Sequence, residues 1–146
     1  MMFTNCCKQR IDIGHIESFK FLQERIRCPY ALYWKPLSAQ FSSQVIAAGF
    51  DHVFTAQDIG SYKPSATNFE HLIGNSPVPK DEILHVAQSQ YHDVAPAAKM
   101  GLQTVWVNRR GGDPGHGATP PADALADLEV PDLKSLAALV VKACAP

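Results

Sequence analysis

Residues 81–109 read DEILHVAQSQYHDVAPAAKMGLQTVWVNR, and the pattern of this stretch decides the fold class. Ile83-Leu84-His85-Val86-Ala87 is a short, mostly apolar run of the kind that forms a buried strand. Residues 88–92 are polar and show no apolar period, which predicts a loop. Beyond them Val94, Ala97, Ala98 and Met100 fall near helical spacing. Pro96 fits such a helix only in the first turn, where its missing N–H costs little. Gly101 supplies a helix stop. Thr104-Val105-Trp106-Val107 is β-branched and aromatic, which predicts a second strand. Strand, short helix and strand make a βαβ unit, and such a unit requires parallel strands and a right-handed crossover. The polar loop therefore leaves the carboxyl end of a buried strand, where open α/β sheets place their ligands. Ser89, His92 and Asp93 would project there. The competing reading is that Ser89 or Asp93 caps the helix that follows.

Upstream, Ile16, Phe19, Phe21, Leu22 and Ile26 recur at helical spacing and predict an amphipathic helix over residues 16–27. Residues 30–34 read as a strand closed by Pro36, and Ser38 is placed to cap a helix running to about residue 48. Residues 50–54 form another short strand, followed by a loop or one helical turn over 55–61. Pro64 biases Lys63 towards an extended backbone. Asn68, or a residue just before it, opens a helix carrying Phe69, Leu72 and Ile73. Downstream, residues 111–121 are rich in Gly and Pro and predict an exposed loop. Residues 128–130 read as a last edge strand. A terminal helix then places Leu133, Leu136, Leu139 and Val140 on one face. Helices alternating with short strands predict an α/β fold with a mostly parallel sheet. Residues 1–15 lack a clear period and are expected to be poorly ordered or to pack as an irregular arm, with one domain over 16–146.

A hydrophobic content of 46% with 18% charged residues is ordinary for a globular domain, so a packed core is expected. The net charge of −1 and the lack of a basic run argue against nucleic-acid or membrane-surface partners. No apolar stretch approaches the length that spans a bilayer, and residues 1–14 lack the apolar core of a signal peptide. Cys6, Cys7, Cys28 and Cys144 have no zinc-finger spacing and read as reduced thiols of a cytoplasmic protein.

Two positions besides the 88–93 loop carry chemistry. Lys63 lies in a loop after a strand and before a helix, where a fixed ammonium can meet an anionic substrate or a developing negative charge. The competing reading is an exposed surface lysine. Asp93 can orient a lysine, bind a hard metal ion or activate water. It has few acidic neighbours in its own loop, so if any metal binds, Asp93 alone would hold it in this segment. His85, inside a strand, reads as a packed or edge histidine, whereas His92 beside Asp93 is a candidate for the site. Asn108, just after the second strand of the βαβ unit, could meet substrate; the segment 108–110 could equally be solvated.

These motifs, taken in order, resemble the haloacid dehalogenase superfamily, nearest its 2-haloacid dehalogenase-like hydrolases. The stretches that carry the likeness are 50–55, Ser61-Tyr62-Lys63-Pro64, 85–89 with His92-Asp93-Val94-Ala95-Pro96-Ala97, and 101–109. The resemblance implies a Rossmann-like three-layer sandwich. It also implies an aspartate nucleophile on the first strand, Lys63 as the lysine contacting nucleophile and substrate, and Asp93 as the acid of the last motif. Ser89, His92 and Asn108 are the substrate-binding candidates at the same rim. Many phosphatase members carry a further acidic residue where this chain has Gln88, so no cofactor is expected and Mg²⁺ is disfavoured.

The chain departs from the pattern at its start. No apolar strand runs into Asp-x-Asp; Asp12 is the only early aspartate, and no hydroxyl follows the 30–34 strand until Ser38. The expectation is an incomplete core, the C-terminal portion of such an enzyme, without the nucleophile strand and cap. Strands lie about 4.8 Å apart, so omitting a central one leaves a gap of roughly two spacings. Unpaired buried backbone groups cost on the order of 1–3 kcal/mol each, against about 5–15 kcal/mol for a whole domain. The chain should then close the gap, borrow a strand or be marginally stable. Two functions follow: a hydrolase acting on a small carbon–halogen or phosphate-ester substrate, or a non-catalytic remnant that binds a ligand or partner. A receiver domain also has a Lys-Pro pair, but there the pair comes late, whereas here two strands follow it. A small-molecule substrate is the expected partner, with a homodimer left open.

Overall fold

The computed structural model describes residues 2–3, 8–9, 30–33, 52–112 and 120–143. In chain order these form strands β1 (Met2–Phe3), β2 (Lys8–Gln9), β3 (Tyr30–Tyr33) and β4 (His52–Thr55), then helices α1 (Ala56–Ile59) and α2 (Ala66–Gly74). Strand β5 (Leu84–Ala87), helix α3 (Ala95–Lys99), strands β6 (Gln103–Val107) and β7 (Leu128–Val130), and helix α4 (Leu133–Ala143) complete them. A 3-10 turn (Lys80–Glu82) leads into β5, and a π-helical turn (Gln90–Val94) leads out of it.

Strands β5, β6 and β7 form a parallel ladder with β7 at its edge. Leu84 stands opposite Gln103 and Ala87 opposite Trp106, so β5 and β6 run in register with the short crossover between them. Burial explains the parallel arrangement. His85, Val86 and Ala87 are consecutive yet all buried, so β5 is covered on both faces, as parallel strands are. Strands β3 and β4 form a second parallel pair, Tyr30 opposite His52 and Tyr33 opposite Thr55. The result is an α/β, Rossmann-like core.

The opening residues differ from the irregular arm expected of them. β1 pairs antiparallel with β5, Met2 opposite His85 and Phe3 opposite Leu84, and β2 pairs antiparallel with β1. The free side of a buried strand carries N–H and C=O groups that must be satisfied, and an extended segment is the cheapest partner. Over these two positions the opening residues occupy the flank of β5 where a gap was anticipated. Asp12 and the helices expected over 16–27 and 38–48 lie outside the described residues.

Local chemistry sets the other elements. α1 is a single turn closed by a capping box, with Thr55 and Asp58 each accepting from the other's backbone N–H. In α2, Phe69 and Leu72 face inward three residues apart. They join Ile83, Ala97 and Leu102 in a core that Phe54, Ile59, Ile73, Val78 and Met100 flank. Pro96 sits in the first turn of α3, and Gly101, at φ 72°, follows its end. A Cβ at Gly101 would be strained at that φ and would lie 3.1 Å from the Lys80 ammonium nitrogen, which donates to the Met100 carbonyl. At the edge of the sheet, the Asp127 carboxylate accepts from both the backbone N–H (2.7 Å) and the hydroxyl (3.0 Å) of buried Thr104.

The inward face of α4 is Leu133, Leu136 and Ala137, all buried. Leu139, expected on that face, is 47% exposed. Six residues from Leu133 is well over one and a half helical turns, which carries the side chain off the buried stripe. No described helix is long and apolar enough to cross a membrane.

Candidate functional site

Lys63 and Asp93 are separated by 30 positions and meet as a buried ion pair, Lys63 Nζ donating to Asp93 Oδ1 at 2.5 Å. Both side chains are 3% exposed. The surface-lysine reading of Lys63 is therefore set aside. The alternative of Asp93 as a helix cap also gives way, because its carboxylate is engaged with the lysine.

Each partner is placed by its own segment. Lys63 lies in the loop between α1 and α2, before a cis Lys63–Pro64 bond. The loop is bracketed by Asn68, whose buried side-chain amide donates to Ser61 Oγ and to the Ser65 carbonyl, both at 3.2 Å. The Ser65 N–H donates to the Tyr62 carbonyl, closing the turn around the lysine. Asp93 rides on the π-helical turn after β5, where the N–H groups of Asp93 and Val94 both donate to the Ser89 carbonyl.

That turn was expected as a loop. It closes because Ser89 caps it, its hydroxyl accepting from the His92 N–H at 3.1 Å. Ser89 Oγ also lies 3.1 Å from His92 Nδ1, and Tyr91 packs edge-on against the His92 ring at 4.9 Å. Ser89 and His92 thus face each other on the segment that carries Asp93. Asn108 is held elsewhere on the rim: its side-chain amide donates to Glu129 Oε1 at 2.7 Å, and its N–H donates to the Val130 carbonyl at 2.8 Å. The Gln88 carbonyl accepts from the Trp106 indole N–H at 3.0 Å.

Sequence reasoning did not assign His85 or Asn68 to this site. His85 is fully buried in β5, and its Nε2 lies 3.4 Å from Asp93 Oδ1. Its ring meets that of Phe69 edge-on, centroids 5.4 Å apart. The available signal was physical: a lone polar side chain in a strand buried on both faces must sit against a polar or charged partner. Asn68 likewise sits next to Phe69 on a face that should be apolar.

Asp93 Oδ1 faces the Lys63 ammonium and lies beside the His85 ring, and the ammonium competes with a divalent cation for the carboxylate. Among the described residues no group of three or more His, Cys, Asp or Glu is arranged for a metal. The described donor set does not fit Mg²⁺. What it fits is an anion: a buried cation held by a carboxylate, at the carboxyl end of a parallel strand.

No family model and no curated protein matches the chain at the level of sequence. Solved structures do match in fold. A HAD-hydrolase from Bacillus subtilis, solved bound to magnesium, superposes with a TM-score of 0.67 at 20% identity, covering 87% of this chain and 54% of its own. The 2-haloacid dehalogenase from Pseudomonas syringae pv. Tomato DC3000 gives 0.64 at 21% identity, covering 88% and 51%. A HAD phosphatase from Thermococcus onnurineus gives 0.63 at 24%, covering 84% and 54%. The chain spans about half the length of these structures, and it has the fold of the haloacid dehalogenase-like core.

Proposed function

We propose that this chain is the core of a haloacid dehalogenase-like hydrolase whose substrate is a small anion bearing a carbon–halogen or phosphate-ester bond. The observation that carries this reading is the buried Lys63–Asp93 pair at the carboxyl rim of β5. The fold neighbours named as dehalogenases and phosphatases support the reaction class.

In this reading Lys63 binds the anionic group of the substrate and stabilises negative charge as the bond breaks. Asp93 fixes the ammonium and keeps it charged in a buried place. Ser89 and His92, on the same turn, and Asn108, at the end of β6, are the neighbouring polar groups that would orient the substrate. Gln88, standing where many phosphatase members of the family this chain resembles carry a further acid, favours the carbon–halogen substrate over the phosphate ester.

A second reading is a module that binds a small anion without turning it over. It rests on the same buried Lys63–Asp93 pair, which can hold an anion without a nucleophile beside it. One experiment separates the two. The full chain is incubated with 2-chloropropionate and with p-nitrophenyl phosphate, and chloride or nitrophenol release is followed beside binding. Release abolished by Lys63→Ala and by Asp93→Ala supports the hydrolase. Binding that Lys63→Ala removes, without release of either product, supports the second reading. Neither release nor binding would dismiss both.

A further inference from the structure

His85 is the one described site group that comes from inside a strand rather than from a loop or turn. Its position is therefore set by the sheet. Its backbone is in register with Thr104 of β6 on one side and Met2 of β1 on the other. Phe69 of α2 packs against the edge of its ring, and the side chain is fully buried. The imidazole is thus held by the sheet and by α2 beside the ion pair. Its Nε2 lies 3.4 Å from the same oxygen that receives the lysine, against 2.5 Å for Lys63 Nζ, without the geometry of a hydrogen bond to it.

We propose that His85 is a positioning residue for the Lys63–Asp93 pair, steadying the Asp93 carboxylate by a protonated Nε2 edge packed beside Oδ1. At 3.4 Å and off hydrogen-bond alignment the contact is electrostatic and steric, a ring edge that limits the carboxylate's rotation. A proton on Nε2 makes the contact attractive; a bare Nε2 would set a lone pair against an anion. Burial raises the strength of such a contact, because no water competes for the oxygen. The purpose rests on the hydrolase reading. When an anionic substrate draws the Lys63 ammonium towards itself, Asp93 keeps a ring edge anchored in the sheet beside it and does not rotate with the lysine.

The test uses the full chain without any substrate, so its outcome is separate from whether turnover is found. Nitrogen-15 spectra of the His85 ring report which nitrogen carries the proton. The carbon-13 shift of the Asp93 carboxyl and the signal of the Lys63 ammonium report the pair. The expected result is a protonated Nε2 in the unmodified chain. In His85→Phe, which keeps the ring and removes the N–H, the Asp93 carbon shift should move and the Lys63 ammonium signal should weaken. His85→Gln, which returns an N–H to a similar place, should restore both. A proton on Nδ1 alone would overturn the proposal. So would unchanged Asp93 and Lys63 signals in His85→Phe, which would leave His85 as core packing. If His85→Phe does not fold, the ring spectrum of the unmodified chain decides by itself.

Discussion

Removing one member of the buried ion pair should strand the other charge, so the losses of the two single variants should not add in the double. Lys63 Nζ and Asp93 Oδ1 lie 2.5 Å apart with 3% of each side chain exposed, so the attraction is little screened by water. With an effective dielectric of about 20, that separation corresponds to an attraction on the order of 6 kcal/mol. Most of it is offset by the cost of taking two charges out of water, which is why a buried pair adds little net stability. The offset disappears when one partner is removed, because the other charge stays buried. Lys63→Met and Asp93→Asn should each destabilise the chain by about 3–5 kcal/mol, a fifth or more of a typical domain's stability of about 5–15 kcal/mol. The double variant should be less destabilised than the sum of the singles by about 2 kcal/mol or more. Urea unfolding of the four proteins, followed by far-ultraviolet circular dichroism, measures the cycle. Singles that add to the double within about 0.5 kcal/mol would show that the two groups do not interact, and the site as described would fail.

Three further outcomes follow from the packing. Asp127→Ala strips two acceptor contacts from buried Thr104 and should cost about 1–3 kcal/mol, read as a lower urea midpoint; an unchanged midpoint would mean the clasp at the sheet edge contributes nothing. Leu136→Ala should cost about 2–5 kcal/mol. Leu139→Ala should stay within about 0.5 kcal/mol. Equal losses would contradict the inward face assigned to α4. Asn68→Ala removes the bracket around the 61–65 loop and should speed amide exchange at Ser65 and weaken binding of 2-chloropropionate, with exchange in β6 unaffected; protection at Ser65 equal to that of the unmodified chain would speak against it.

The βαβ unit was legible because each of its parts has a local cause. The apolar run at 83–87 needs burial, Pro96 tolerates only a first turn, Gly101 ends the helix, and the β-branched residues before Asn108 suit a strand. Lys63 and Asp93 could be nominated from their places in loops at one rim. Their contact could not be read from spacing, because it depends on how α2 and β5 are brought together across 30 positions. His85 reads as a packed or edge histidine and is buried, yet it also lies beside the site; a strand pattern tells burial but not which neighbour the buried group meets. The π-helical turn escaped because its cap, Ser89, sits in a polar run with no period to announce a helix. Leu139 misled because leucines at 133, 136 and 139 keep a spacing of three, which drifts off a face that repeats every 3.6 residues. The pairing of Met2 and Phe3 with β5 answers a demand of the sheet edge and leaves no mark on the opening residues themselves.

The central claim is that the carboxyl rim of β5 presents Lys63 and Asp93 to a small anion. Amide and side-chain NMR shifts recorded while 2-chloropropionate is added to the full chain test it most directly. The account predicts saturable shifts at Lys63 and across 89–93, absent in Lys63→Ala. Shifts centred instead on the opposite end of the sheet, at Lys80, Asp81 and Gln103, would contradict it.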